Sequence, residues 1–412
     1  RSCRNQRAAD ALLNRVPYVN LPALSTRRCE SVPGCAVWKY ASMKAPLWTT
    51  LVRARRKLFE RRCCEVLACR HQCTSENGYS HTPVMLREVI ESLDIQQDQT
   101  FVDLTFGAGG HTKHILAAAK GVRVFALDRD PTAFRRAQQM AKQYPAGQLV
   151  PLLGRFSELG PLLERQGVSP GSLDGALVDC GCSSMQMDDP QRGFGLARQG
   201  PLDMRMDAAR FPGEPTAADV VNFLDYDSLV QVLKLYGEEK RAKKVAQAIV
   251  DSRFLMKNLR TTTELARIVE VALADTHGSG VDSLGRPSHP ATKTFMALRI
   301  LVNNELNELH WALSLLQRWL RPGARLAVLA FHSLEDRIVK RHFQGVDMSE
   351  PVDIAQRLRN AAVWHSAEEM VSERQHHWQP LGPLQLPSRI EMEHNPRSRS
   401  AKLRVAERTA VG

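Results

Sequence analysis

Apolar positions between residues 83 and 180 switch repeatedly between two periods. In residues 83–93, PVMLREVIESL, Leu86, Val89, Ile90 and Leu93 share one face at helical spacing. Short apolar runs then recur at 100–105 (TFVDLT), 122–127 (VRVFAL), 148–153 and 173–179 (LDGALVD), each the length of a buried strand. Helical spacing fills the gaps, at 111–119, 131–143 and 158–166, and Pro131 sits where a first helical residue belongs. Strands alternating with helices of this length predict right-handed βαβ units and a parallel sheet.

The alternation stops near Asp188. Residues 190–290 hold turn residues and then helical stretches at 227–236, 238–257 and 262–274, with no convincing strand. Residues 291–320 read as mostly helical, 325–331 (RLAVLAF) as a buried strand after the turn Arg321-Pro322-Gly323, and 335–343 as a helix. Residues 345–395 are polar and give no clear period. The fold class expected is α/β, with a Rossmann-like, mainly parallel sheet. Residues 79–189 and 291–412 form its core, the latter ending in a basic tail, and 190–290 form a helical insertion.

Residues 1–78 differ from the rest. They carry 15 Lys and Arg against 5 Asp and Glu, so they supply most of the net charge of +12 over the 412 residues. The body is close to neutral, and the basic balance is no argument that it binds nucleic acid. From Met43 the chain reads MKAPLWTTLVRARRKLFERRCCEVL, Arg-rich, with no acid before Glu60 and Leu47, Leu51 and Leu58 on one face. That pattern predicts a mitochondrial transit peptide, with Met43 rather than Arg1 near its start and the matrix as destination. A basic arm that touches RNA is the other reading. Seven of nine cysteines also lie before residue 79, without a disulfide framework's spacing, which favours a reducing compartment. Cys69, His71 and Cys73 lack a second ligand pair at zinc-finger spacing. No apolar run nears the roughly 18 residues of a membrane span.

Two segments carry candidate chemistry. In the first, Asp103-Leu-Thr-Phe-Gly107-Ala-Gly109-Gly110-His111 joins a strand to a helix. Glycines there let backbone N–H groups approach a ligand, and a helix N-terminus favours negative charge. Asp128 closes the next strand, placed to accept hydrogen bonds from ribose hydroxyls. A nicotinamide dinucleotide turn would need glycine where Thr112 stands. An acid four residues before the first glycine, as Asp103 is to Gly107, resembles the pattern of S-adenosylmethionine (SAM) methyltransferases instead. In the second, Asp179-Cys180-Gly181-Cys182-Ser183-Ser184-Met185-Gln186 follows the fourth strand. Ligands of open α/β sheets sit at the carboxyl ends of strands, so Asp103, Asp128, Phe156 and Asp179 are expected around one crevice. Cys180 and Cys182 read as small packing residues. His332 reads equally as a base or as a hydrogen-bonded structural residue. Arg397 and Arg399 suggest phosphate contacts.

The segments HTPVML, DLTFGAGGHT, ALDRDP, RFSEL, SSMQMDDPQRGF, GPLDMRMD, YGEEKRAKKVAQAIV, HPATKTFMALRILVNNEL, AFHSLEDRIVKRHF and NPRSRSAKLRVAER occur in this order. From Tyr79 to about Arg408 they closely resemble the small-subunit ribosomal RNA cytosine-N4 methyltransferase family (RsmH/MraW type). With its Arg-rich leader the chain is similar to the mitochondrial branch. The resemblance implies a class I SAM-dependent methyltransferase fold, SAM as cofactor, methyl transfer to cytidine N4, and small-subunit rRNA or an assembling subunit as partner. It implies cofactor contacts at Gly109, Gly110, His111, Asp128, Phe156, Asp179 and Gln186. Asp179, or the Cys180 carbonyl beside it, becomes the candidate catalytic acceptor of an N4 hydrogen, and no metal is implied. The insertion and the basic stretch 240–244 become candidates for holding RNA. Departures from the family pattern are few: Cys180 replaces an aliphatic residue, and Ala108 and Cys182 stand where bacterial members vary or carry Val. An RNA-binding assembly factor with a vestigial methyltransferase fold and a NAD-dependent oxidoreductase are the alternatives from other classes.

Overall fold

The computed structural model describes residues 82–256, 258–275, 289–346 and 377–410. The basic leader, Tyr79, His81 and the Cys69/His71/Cys73 group lie outside them. So does most of the stretch 345–395.

Among the described residues seven strands form one sheet in the order β3-β2-β1-β4-β5-β7-β6. They are β1 (Thr100–Asp103), β2 (Arg123–Asp128), β3 (Leu149–Leu153), β4 (Leu173–Asp179), β5 (Leu320–Ala330), β6 (Trp378–Pro380) and β7 (Lys402–Arg408). The first five are mutually parallel, and β7 runs antiparallel to both β5 and β6. This is the α/β, mainly parallel sheet of the class I methyltransferase fold expected from the sequence. Because β1 to β5 are parallel, their carboxyl ends share one edge.

Both faces of the sheet are covered, which is why its strands read as continuous apolar runs. Side chains alternate between faces at period two. Val102, Phe125, Leu127, Ala176, Val178, Leu326 and Val328 point to one face, under α11 (Glu305–Trp319) and α12 (Ser333–Phe343). Phe101, Val124, Ala126, Leu177, Ala327 and Leu329 point to the other, under α1 (Leu86–Leu93) and α2 (Gly110–Ala118). The remaining core helices are α3 (Pro131–Ala141) and α4 (Leu159–Arg165).

Between β4 and β5 the described residues form helices and turns. They form α5 (Ser184–Asp188), α6 (Ala217–Phe223), α7 (Tyr226–Leu235), α8 (Ala242–Met256), α9 (Thr262–Leu273) and α10 (Thr292–Asn303) before α11. A second core gathers Val220, Leu229, Leu233, Val245, Ile249, Leu265 and Val269 against Phe295, Leu298 and Leu301 of α10. Ile300 of the same helix packs under the sheet, so α10 joins the two cores.

Three expectations differ from the fold. The helical stretch at 291–320 is two helices, broken at Asn304, which adopts a left-handed backbone (φ 53°) that Asn tolerates better than most residues. Strand β5 begins at Leu320, which pairs with Leu173, and pairing resumes at Arg325 opposite Gly175, so the Arg-Pro-Gly turn is looped out inside the strand. The basic C-terminal segment is not a tail. Residues 402–408 are β7, inserted between β5 and β6, with Leu403 and Val405 buried and Lys402 and Arg404 paired with Asp336 of α12.

Candidate active site

The glycine turn is fixed from below by Asp103. This carboxylate is 1% exposed, accepting from the Thr105 backbone N–H (3.0 Å) and from the Thr112 hydroxyl (2.6 Å). Thr112, the residue that breaks the dinucleotide pattern, thus helps hold the turn. Both Asp103 oxygens are engaged, so Asp103 shapes the crevice without opening into it. The Thr105 hydroxyl also accepts the backbone N–H of Asp179 (2.7 Å), tying the end of β4 to the same turn.

Asp128 ends β2 and is partly buried. One of its oxygens accepts the Gly107 N–H (2.8 Å) and the other the Asp130 N–H (2.8 Å), which leaves each oxygen a further lone pair. Burial pushes its carboxyl up to about 7, and the neighbouring Asp130 and Asp103 carboxylates add to this against the two N–H donors. Gly109 precedes α2 with φ 83°, and no side chain caps that helix. A Cβ on Gly109 would lie 2.6 Å from Phe106 Cζ, and one on Gly110 would lie 2.4 Å from Pro83 Cγ. Glycine is therefore required by close packing, and the uncapped N-terminus of α2 turns the positive end of its dipole toward an anion.

Asp179 ends β4. Its Oδ1 is buried and has no hydrogen-bond partner among the described residues, while the side chain as a whole is 26% exposed. Burial, then Asp103 and Glu335, push the carboxyl up to about 8. An unmet buried acceptor at a strand end is costly unless a ligand completes it. His111 is buried behind it, with Nδ1 3.7 Å from Asp179 Oδ2 and Nε2 3.0 Å from the Val84 carbonyl oxygen. Phe156 opens the turn after β3, partly exposed; Glu308 of α11 holds that turn by accepting the Ser157 N–H and hydroxyl, each at 2.9 Å.

Gln186 is brought to the same region, but both ends of its amide are used internally. Its oxygen accepts the Ser183 N–H (3.0 Å) and its nitrogen donates to Asp130 (2.9 Å). It acts on the crevice through Asp130. Cys180 is buried in the core, and the Cys182 sulfur accepts from Arg299 (3.4 Å); burial raises both thiols above their usual range. His332 caps α12, where its ring accepts the Glu335 N–H (3.4 Å). Glu305, His332 and Glu335 converge closely enough to resemble a metal group. However, both Glu305 oxygens are held by Arg299 at 2.9 Å, so that cluster is already neutralised internally. Arg397 pairs with Asp188 at 2.6 Å, at an exposed position.

Several supporting residues lie in the family-like segments without a role assigned to them from the sequence. Asp130, 1% exposed, caps α3 and accepts from Arg192 at 2.5 Å. Arg192 in turn donates to the carbonyls of Arg205 and Met206. Asp207, 4% exposed, binds Arg129, Arg155 and Arg210. Burial alone would raise the Asp207 carboxyl, but Arg129 and then Arg155 hold it below the usual range. Asn303 accepts the Met206 N–H and donates to the Met204 carbonyl, both at 2.7 Å. The loop PLDMRMD is thereby stitched to the ends of β2 and β3.

Five parallel strands, an acid after β2 held by a glycine turn, and an unsatisfied acid after β4 on the same edge define a SAM-dependent methyltransferase. Residues 78–409 match the MraW methylase family, and the chain belongs to it. It is 49% identical over 335 residues to the human 12S rRNA N(4)-cytidine methyltransferase METTL15, covering 79% of this chain and 82% of that one. It is 45% identical over 330 residues to the ribosomal RNA small subunit methyltransferase H of Methylobacterium nodulans, covering 80% and 90%. A 48% identical match over 338 residues takes in only 22% of a Culex quinquefasciatus protein that carries the name of a receptor-type tyrosine-protein phosphatase, mosPTP-1. The chain spans about a fifth of that relative, and no phosphatase activity is carried over from it.

Proposed function

We propose that this protein transfers a methyl group from SAM to the exocyclic N4 of a cytidine in small-subunit ribosomal RNA, in the mitochondrial matrix. The observation that carries this reading is Asp179, a strand-end carboxylate with a buried, unmet oxygen at the shared crevice. The names of the relatives at 45–49% identity support the substrate, and the Arg-rich leader supports the compartment.

The residues present fit the cofactor. Asp128 has lone pairs left for ribose hydroxyls. The uncapped N-terminus of α2, beginning at Gly110 and His111 beside Gly109, suits its carboxylate. Phe156 offers an apolar surface, and Gln186 holds Asp130 beside Asp128. When bound, the cofactor supplies an electrophilic methyl on a sulfonium. The protein must supply the rest. The N4 lone pair of cytosine is delocalised into the ring, so N4 must be held in line and its hydrogen accepted before charge localises on nitrogen. Asp179, or the Cys180 carbonyl next to it, is the acceptor at the right edge of the sheet. Orientation of this kind supplies up to about 7–11 kcal/mol in the best cases.

The cytidine must be single-stranded or turned out of its stack to reach the crevice. The helical segment between β4 and β5 holds the RNA, with Lys240, Arg241, Lys243 and Lys244 at the start of α8. All four are exposed. The test is methyl transfer in vitro from labelled cofactor to small-subunit RNA or partly assembled subunits, followed by nucleoside digestion. Label in N4-methylcytidine, lost in Asp179→Ala with cofactor binding retained, supports the reading. Label in another nucleoside, or native rates from the Asp179→Ala protein, overturns it.

A further inference from the structure

Methylating an exocyclic amine leaves a proton to be placed. We infer that His111 receives that proton through Asp179, acting as a positioning residue behind the acceptor carboxylate. This rests on the reading that Asp179 meets the amine.

His111 is 6% exposed and lies in the first turn of α2. Its Nε2 is 3.0 Å from the Val84 carbonyl oxygen, which can only accept. The hydrogen of the neutral ring is therefore fixed on Nε2, and Nδ1 carries the lone pair. That lone pair faces Asp179 Oδ2 at 3.7 Å. Two acceptors would not sit face to face without a proton to share. Asp103 from β1 and Glu335 from α12 are the other charged groups acting on Asp179. Both are acids, and both favour positive charge on the imidazole. At 3.7 Å the pair is longer than a hydrogen bond, and such distances commonly tighten once substrate is bound.

The step balances. The N4 lone pair forms the N–CH3 bond, and the S–CH3 bond pair returns to sulfur, which becomes a neutral thioether. The N4 proton passes to Asp179 Oδ2 and on to His111 Nδ1, giving an imidazolium beside a carboxylate. The positive charge lost at sulfur reappears on His111, so the crevice keeps its net charge. Positive charge brought into the crevice beforehand drives the proton that the pair shares in the ligand-free protein out to water, leaving an ionised Asp179 and a neutral His111 to take the N4 proton. Water restores His111 when the products leave.

The test is the pH dependence of single-turnover methyl transfer at saturating cofactor, for wild type, His111→Gln and Asp179→Asn. Proton acceptance by a positioned group contributes about 10²–10⁴-fold, and His111→Gln is expected to slow transfer by about 100-fold and to abolish the acid limb of the profile. A second readout uses the protein without cofactor. Following the His111 ring by NMR, Asp179→Asn is expected to lower its titration midpoint by about one pH unit or more. An acid limb preserved in His111→Gln, or a His111 midpoint indifferent to Asp179→Asn, overturns the inference. Wild-type turnover in Asp179→Asn is a different outcome: it removes Asp179 from contact with the amine and so overturns the underlying reading. If His111→Gln does not fold, the NMR titration decides alone.

Discussion

Asp207 is the test of whether the PLDMRMD loop is part of the cofactor crevice or only covers it. Its carboxylate is 4% exposed and is shared by Arg129, Arg155 and Arg210. Asp207→Asn keeps the shape and removes the charge, leaving three guanidinium groups facing one another. Breaking a buried pair from one side costs about 3–5 kcal/mol. The arginine side chains are 14–21% exposed, so water screens part of the loss and the lower end, about 3 kcal/mol, applies here. That corresponds to a fall in Tm of roughly 6 °C for a unit of this size. Because Asp207 is held ionised, its contribution is present at neutral pH and fades as pH falls through and below the usual carboxylate value of about 4. Urea unfolding and calorimetry at about pH 7.5 measure the loss, and titration calorimetry measures cofactor affinity. Arg129 follows Asp128 directly, so affinity should weaken together with stability. A loss below about 1 kcal/mol, the size of an exposed ion pair, with unchanged affinity would refute the reasoning.

Three further outcomes are expected. Asp128 and Asp179 have carboxyls held up to about 7 and 8, so the fold favours their protonated forms. Their contribution is complete below about pH 4 and is lost progressively as pH rises to about 7 and 8, so the ligand-free protein should soften across that range, and Asp179→Asn should flatten a plot of urea midpoint against pH. Gly109→Ala forces a Cβ to within 2.6 Å of Phe106 at a left-handed backbone position; it should cost about 1–3 kcal/mol in urea unfolding and weaken cofactor binding in titration calorimetry. Lys240→Glu and Lys243→Glu, at exposed positions, should weaken RNA binding at all sequences and lower the salt slope by about one for each phosphate no longer neutralised, measured by filter binding from low to high salt.

How much the sequence revealed depends on how local each feature is. Strand β4 was legible to the residue because the mostly apolar stretch LDGALVD ends in Asp179. The acids after β2 and β4 were legible for the same reason, since a strand end marks the ligand edge. The break at Asn304 was not, because no glycine or proline signals it and Asn turns left-handed only where packing asks for it. Strand β7 was hidden in KLRVAER, whose charged residues mask an alternation that is buried on one side. Asp130, Arg192, Asp207 and Asn303 were invisible as a group because their partners lie far along the chain, 78 positions for Arg129 to Asp207 and 99 for Asn303 to Met204. The segments that hold them entered the functional reading of the sequence only through their resemblance to the family. Gln186 shows the opposite limit: its place near the crevice was legible, but only the structure shows that both ends of its amide are spoken for.

Mass spectrometry of nucleosides from mitochondrial small-subunit rRNA, in cells with and without this protein, reaches the central claim most directly. N4-methylcytidine at one site should vanish without the protein and return with wild type but not with Asp179→Ala. N4-methylcytidine that persists unchanged in its absence would contradict the proposed reaction.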